Sequence, residues 1–266
     1  AGFDKNGEAI KGLFNLGFGF VEIGTVTPKA QQGNPRPRIF RVGEMEGIIN
    51  RMGFPNHGAL RTLENLKKFK SKGAGVVGVN IGRNKDGTEE DYFHLIEYFI
   101  KDADYIAINI SSPNTEGLRD MQKEAELSSF LAKIKEKRAG LKIQKPFFLK
   151  ISPDISPSDL NYIYNLLTEN KIEGIIIANT TLSRPELGLK NEAEKGGLSG
   201  KFVAPKSLEL LKEFNKLNKN GIMVISVGGV LAKEDFEERL QHGAHLVQSY
   251  TGFIFEGPSF ACKILS

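Results

Sequence analysis

Tyr105-Ile106-Ala107-Ile108-Asn109-Ile110-Ser111-Ser112-Pro113-Asn114-Thr115 starts as a nearly continuous apolar run and ends abruptly in amides, hydroxyls and a proline. An apolar run of this length suits a parallel strand covered on both faces, and Ser-Ser-Pro then sets a rigid turn at its carboxyl end. Six more runs follow the same plan, at 20–23, 76–81, 147–151, 174–178, 222–227 and 246–250. Amphipathic stretches separate them, including 60–70, 127–137, 158–167 and 204–217. Alternating strand and helix predicts a parallel α/β sheet rather than a sandwich. Ser156-Pro157-Ser158-Asp159 predicts an N-cap serine with proline at the first helical position, and Ala204-Pro205 a second helix start. Pro35 and Pro37, by contrast, hold 34–38 as an extended loop.

Seven strands fall one short of a closed (β/α)8 barrel. Ala1-Gly2-Phe3-Asp4-Lys5 runs directly into a helical pattern at 8–16, as a βα loop does after its strand. The expected architecture is therefore a single barrel domain over 1–266, with its first strand lying before Ala1. A doubly wound open sheet is the alternative. It needs no eighth strand but would carry a Gly-rich dinucleotide turn early in the chain.

Composition narrows the function classes. Of 266 residues, 40% are hydrophobic and 26% charged, which excludes a disordered chain. The net charge of +4 is spread over several helices and does not form the stripe expected of a nucleic-acid binder. Cys262, the single cysteine, excludes an internal disulfide framework and a cysteine-built zinc site, and no metal is expected. Its apolar neighbours predict a buried packing role. No run approaches the roughly 18 apolar residues of a membrane span.

In barrel enzymes the site is built from loops at the carboxyl ends of the strands. Here those ends read Gly24-Thr25, Asn80, Asn109 to Asn114, Lys150, Asn179-Thr180-Thr181, Gly228-Gly229 and Tyr250-Thr251-Gly252. Each alone is a turn former or cap; together they predict a polar small-molecule site. Gly228-Gly229 and Thr251-Gly252 follow the last two strands, where backbone amides commonly bind phosphate. Gly196-Gly197-Leu198-Ser199-Gly200 is a second glycine-rich loop that could approach the same ligand. Lys150 ends an apolar strand and should face a ligand or an anion, because burying it unpaired is costly. It could form a Schiff base, as in barrel aldolases, or supply charge to a cofactor ring. Ser112 has no histidine at a neighbouring strand end, so its role is weak-base proton abstraction or substrate binding.

Several motifs together resemble the dihydroorotate dehydrogenase family. They are Gly2-Phe3-Asp4-Lys5-Asn6-Gly7-Glu8, Phe20-Val21-Glu22-Ile23-Gly24-Thr25-Val26-Thr27-Pro28, Asn50-Arg51-Met52-Gly53-Phe54 and Asn80-Ile81-Gly82-Arg83-Asn84-Lys85. Ile108 to Asn114, Asn179-Thr180-Thr181 and Gly196 to Gly200 continue the series in order. The resemblance implies an FMN-containing barrel that oxidises dihydroorotate to orotate in pyrimidine synthesis. It implies Ser112 as the base and Lys150 as the charge beside the flavin ring. Lys5, Asn50, Met52, Gly53, Phe54, Asn109, Asn114, Asn179 and Thr180 would hold the substrate. Ala1, Gly2, Gly24, Thr25, Asn80, Asn109, Lys150, Ala178, Ser199 and Gly200 would contact FMN, and Gly228, Gly229, Tyr250 and Thr251 its phosphate. Residues 115–119 would form a mobile lid.

Serine at the base position resembles the quinone-using branch of the family; the soluble branch, which uses fumarate or NAD, has cysteine there. Asn34 to Arg41 points the same way, with Arg41 lining the quinone site. That branch implies an N-terminal helical extension, outside 1–266, that sits on a bacterial or mitochondrial inner membrane. Ala178 departs from the threonine common in the family, which removes a hydroxyl contact of about 1 kcal/mol. The rivals are a tRNA-dihydrouridine synthase, which should place a cysteine in a βα loop, a Schiff-base aldolase using Lys150, and a degenerate barrel kept as a binding module.

Overall fold

The computed structural model describes residues 1–43, 47–73, 75–184, 191 and 193–266. Its strands are β1 (Phe20–Val26), β2 (Ile39–Val42), β3 (Gly47–Asn50), β4 (Val76–Ile81), β5 (Tyr105–Asn109), β6 (Phe147–Lys150), β7 (Gly174–Ile177), β8 (Gly197–Gly200), β9 (Met223–Val227) and β10 (Leu246–Gln248). The helices are α1 (Ile10–Asn15), α2 (Gly58–Lys70), α3 (Glu90–Phe99), α4 (Glu124–Ala139), α5 (Asp159–Glu169), α6 (Ala204–Leu217), α7 (Lys233–Gln241), α8 (Thr251–Glu256) and α9 (Phe260–Leu265).

Seven strands pair in parallel in the order β1-β4-β5-β6-β7-β9-β10. These are the seven expected from the apolar runs. The order never reverses, so the doubly wound alternative fails. The sheet also curls: Gln248 on β10 donates to the Glu22 carboxylate on β1 at 2.9 Å, so the two outer strands meet across the interior. Side chains alternate between the two faces, as the pleat requires. Ile106 and Ile108 join the large core shared with the helices, whereas Tyr105 and Ala107 pack inside the curl with Phe148, Ile176, Ile225 and Val227.

Residues 1–4 bridge the upper end of the seam between β10 and β1. Ala1 N donates to Ser249 O at 3.4 Å, Gly2 N to Glu22 O at 2.8 Å, and Gly24 N to Asp4 O at 2.8 Å. Below them the facing strand edges are separated by an apolar groove lined by Phe18, Phe20, Phe236, Leu246, Phe260 and Ile264. Among the described residues no eighth parallel strand lies in the sheet.

Three expectations need correction. Gly197–Gly200 is a strand, not a loop, and pairs with β3 in a small antiparallel sheet ordered β2-β3-β8. Apolar periodicity misses it because two glycines and a serine fill three of its four positions. Pro157 lies in a turn before α5 rather than in its first position. There the Ser156 hydroxyl accepts from Asp159 N at 3.3 Å, and the Asp159 carboxylate accepts from Ser156 N at 3.2 Å. Cys262 is exposed rather than buried, because Phe260, Ala261 and Ile264 take the inner face of α9. Pro205 does open α6, as expected.

Candidate functional site

The interior of the curl is polar at one level, and Glu22 is its centre. This carboxylate is 2% exposed and takes donors from four other strands. Asn80 Nδ2 on β4 and Lys150 Nζ on β6 reach Oε1 at 3.0 and 3.3 Å. The Tyr105 hydroxyl on β5 and Gln248 Nε2 on β10 reach Oε2 at 3.1 and 2.9 Å. Burial alone would push the Glu22 carboxyl up, but the Lys150 ammonium and the donated hydrogen bonds outweigh it and hold it below the usual value. Lys150 thus ends its strand in an ion pair with a buried anion, while still lining the pocket above.

From Glu22 the network climbs to the rim. Thr25 Oγ1 donates to Asn80 Oδ1 at 2.6 Å, and Asn109 Nδ2 donates to both Thr25 Oγ1 and Asn80 Oδ1 at 3.0 and 3.1 Å. Asn109 Oδ1 in turn accepts from the Ser111 amide at 3.2 Å and the Ser111 hydroxyl at 3.1 Å. Asn179 Nδ2 donates to the Ser111 hydroxyl at 3.0 Å. A fully connected network of this kind fixes the orientation of each amide. The neighbouring Ser112 is 5% exposed and faces the pocket. Its oxygen accepts from Asn114 N at 3.3 Å, and among the described residues its own hydroxyl proton has no acceptor.

Every residue expected in the substrate and cofactor sets lines this one pocket: Lys5, Asn50, Met52, Gly53, Phe54, Asn109, Ser112, Asn114, Asn179 and Thr180 on one side. Ala1, Gly2, Gly24, Thr25, Asn80, Lys150, Ala178, Ser199, Gly200, Gly228, Gly229, Tyr250 and Thr251 complete it. Asn50 and Asn114 are joined side chain to side chain at 3.3 Å. Lys5 donates to Gly2 O and lies over the Tyr250 ring, 5.7 Å from its centroid. Burial and the nearby Lys150 ammonium pull Lys5 down to about 8, with Asp4 opposing. Arg41 is not brought in: it is exposed on β2, with its guanidinium 4.9 Å from the Phe255 ring centroid.

At the far end of the pocket, β9 runs into Gly228, Gly229 and Val230. Among the described residues nothing accepts from the amides of these three residues. Gly228 and Gly229 have φ of +114° and +78°. A Cβ on Gly229 would stand 2.3 Å from the Ala204 Cβ, so the turn can approach α6 only as glycine. The hydroxyls of Ser199 and Thr251, 2.8 Å apart, flank it. Donors without acceptors, held on a left-handed turn, make an anion cradle.

The 115–119 segment is clasped at its end. Arg119 donates to Ser111 O at 3.0 Å, Thr180 O at 2.7 Å and the Asp154 carboxylate at 2.8 Å. Asp154 also accepts from Thr181 Oγ1, from Leu182 N at 2.7 Å and from Lys206 at 3.0 Å. Although Asp154 is partly buried, these donors hold its carboxyl down to about 2. Sequence reasoning missed Glu22, Tyr105 and Gln248 as members of the site. The available signal was three polar groups placed at inward positions of apolar strands.

A family model described as dihydroorotate dehydrogenase matches residues 1–266. A relative from Aliivibrio fischeri (strain MJ11), named dihydroorotate dehydrogenase (quinone), is 47% identical over 276 residues, which cover 100% of this chain and 81% of the relative. Another of that name, from Dechloromonas aromatica, is 44% identical and covers 99% of this chain and 79% of its own. Among solved structures, ligand-free type DHODH from Eimeria tenella superposes with a TM-score of 0.92 at 35% identity, covering 99% of this chain and 80% of that one. The same enzyme in complex with ferulenol gives 0.91 at 36% identity, covering 99% and 77%. Matched over its whole length and folded like solved members, the chain belongs to the dihydroorotate dehydrogenase family.

Proposed function

We propose that the protein oxidises (S)-dihydroorotate to orotate in pyrimidine biosynthesis, using FMN and passing the electrons to a quinone. The observation that carries this reading is a buried serine hydroxyl with no histidine beside it, facing the same pocket as an ion-paired lysine and a ring of asparagines. The pocket fits a phosphorylated flavin: unsatisfied amides at Gly228, Gly229 and Val230 suit the phosphate, and Thr25, Asn80 and Lys150 suit a polar ring edge.

When bound, FMN supplies the hydride acceptor. The work of the chain is to position the substrate and move one proton. Asn50, Asn109, Asn114 and Asn179 present amides that match the alternating donors and acceptors of a pyrimidine ring. Lys5 supplies charge for the carboxylate. Ser112 takes the proton from the carbon next to the one that loses hydride. Its oxygen keeps only the Asn114 amide as a partner, so it can accept the substrate proton while its own hydroxyl proton, which no described residue accepts, passes to solvent in the pocket. Lys150 and Glu22 form a neutral pair that offers positive charge upward without a net buried charge. The aldolase reading is disfavoured by that pair, since imine formation needs a free amine.

Serine at the base position and relatives named for quinone support the choice of acceptor. Arg41, stacked on Phe255 outside the pocket, is the proposed quinone contact. We place the enzyme at the surface of an energy-transducing membrane, through a segment preceding Ala1; among the described residues no helix is long and apolar enough to cross one. The test is an anaerobic stopped-flow mix with dihydroorotate, reading flavin absorbance in wild type and Ser112→Ala. Rapid bleaching in wild type, slowed at least 100-fold in the variant, is expected. A flavin left oxidised by dihydroorotate would refute the substrate, and equal rates would refute the base.

A further inference from the structure

The anion cradle has a charged residue behind it that does not line the pocket. Arg239, on α7, is 2% exposed. One guanidinium nitrogen donates to Gly228 O at 2.9 Å and Ala204 O at 3.1 Å. Another donates to the Ser207 hydroxyl at 2.8 Å and lies 3.5 Å from the Ser226 hydroxyl. Ser207 in turn donates to Gly228 O at 2.9 Å. Arg239 Nε is buried without any partner, and no carboxylate among the described residues lies within ion-pair distance of the side chain. Every acceptor that Arg239 uses is neutral. Glu238 and Asp235 favour its charge from beyond contact, but burial outweighs them. A buried cation without a contact ion pair is costly, and arginines elsewhere in this chain, such as Arg51 and Arg61, do find carboxylates.

We propose that Arg239 is a positioning residue that makes the pocket select a phosphorylated flavin over its unphosphorylated form. Resting on the cofactor reading above, this inference gives the phosphate a charge partner that never touches it. Two effects act together. The guanidinium ties the Gly228 carbonyl to the start of α6, which fixes the turn that carries the free amides. It also polarises the Gly228–Gly229 peptide: a carbonyl accepting from a cation makes the amide of the same peptide a stronger donor. That amide belongs to Gly229, inside the cradle. A phosphate there would add negative charge across one peptide unit from a guanidinium that has no contact ion pair.

The test uses the full chain freed of flavin, with dissociation constants for FMN and for riboflavin read from flavin fluorescence. Wild type should bind FMN much more tightly than riboflavin. Arg239→Met should lose at least tenfold in FMN affinity while riboflavin changes less than twofold. An equal loss for both flavins reduces Arg239 to general packing, and no loss for either removes it from the site; both results overturn the proposal. Should the methionine variant fail to fold, Arg239→Lys decides. It keeps the charge but not the fork, so FMN affinity should fall by less than expected for Arg239→Met but still by more than threefold, while riboflavin changes less than twofold. An equal loss for both flavins, or no loss for either, overturns the proposal. A wild type that binds FMN and riboflavin equally fails the phosphate reading of the cradle, and the proposal with it. A wild type that discriminates, alongside a methionine variant that discriminates just as well, fails the Arg239 proposal alone.

Discussion

Replacing Glu22 by glutamine removes one charge from the centre of the barrel and changes little in volume. Its cost can be worked from the four donors around the carboxylate. The new amide nitrogen must face one pair of them. Turned toward Gln248, it meets a neighbour whose Oε1 is buried and has no partner, so a flip of Gln248 can receive it. The hydrogen bonds are then largely recoverable, and what is lost is the counter-charge of Lys150. With side-chain exposures of 9% for Lys150 and 0% for Glu22, solvent cannot take over. Leaving one member of a buried pair uncompensated costs about 3 kcal/mol. Urea unfolding of the flavin-free protein at pH 7 should show that deficit. Glu22→Gln/Lys150→Met should recover much of it, because the second change removes the stranded charge. The Glu22 carboxyl is held below its unfolded value, so its contribution is complete above about pH 4.5 and is lost as pH falls through the lower folded value. The gap between wild type and variant must therefore close in acid. A Glu22→Gln protein within ~1 kcal/mol of wild type at pH 7, or a double variant no more stable than the single one, would show that the pair contributes no net coupling.

Two further outcomes follow from named groups. Lys5 titrates at about 8, and an anionic ligand needs its charged form, so orotate affinity should be maximal below that value and fall as pH rises through it. Calorimetric titration between pH 7 and 9.5 checks this, and a flat profile in wild type, or a Lys5→Met profile that keeps the decline, would remove Lys5 from the site. Asp154→Asn should cost about 2 kcal/mol, mainly through Thr181, the Leu182 amide and Arg119, with the half-exposed Lys206 adding little. Because the carboxyl is held down to about 2, the clasp is intact above the unfolded value of 3.8 and opens only as pH falls through about 2. Hydrogen exchange across 115–122 should quicken in the variant at neutral pH, and unchanged exchange would mean that Asp154 does not hold that segment.

The parts of this fold that were legible in the sequence are those where one face of an element is wholly apolar. The seven parallel strands stood out because helices cover their outer face and small or apolar groups fill much of the inner one. The antiparallel sheet did not: Ile39–Val42 buries only Val42, and Gly197–Gly200 has too few side chains to show a period. Cys262 departs from its expected burial for a related reason. Its neighbours are apolar in sequence, but the helix turns them inward and the thiol outward. The rim of the site was legible because the loops after parallel strands converge whatever the details of packing. Its roles came from family resemblance, since an asparagine at a strand end looks like a turn former until the other asparagines are known to surround the same space.

Glu22 shows where reading residues one at a time fails. In Phe20-Val21-Glu22-Ile23 it interrupts an apolar strand, and Lys150 does the same in its own strand. Neither run says that the two residues meet. What brings them together is a level of the interior at which five of the seven parallel strands, all but β7 and β9, deliver a polar group. That level exists because of a residue with no side chain. Gly78 pairs with Tyr105 in register, and a Cβ at Gly78 would lie 2.0 Å from the tyrosine ring. The ring crosses over the bare backbone of β4, and its hydroxyl arrives at the carboxylate of β1. Burial and the nearby Glu22 carboxylate push that phenol well above its usual range, so it stays a donor. A larger residue at 78 would displace the ring and leave one carboxylate oxygen with Gln248 alone. The lysine at the strand end does face an anion, as its cost of burial requires, but the first anion it meets is the protein's own.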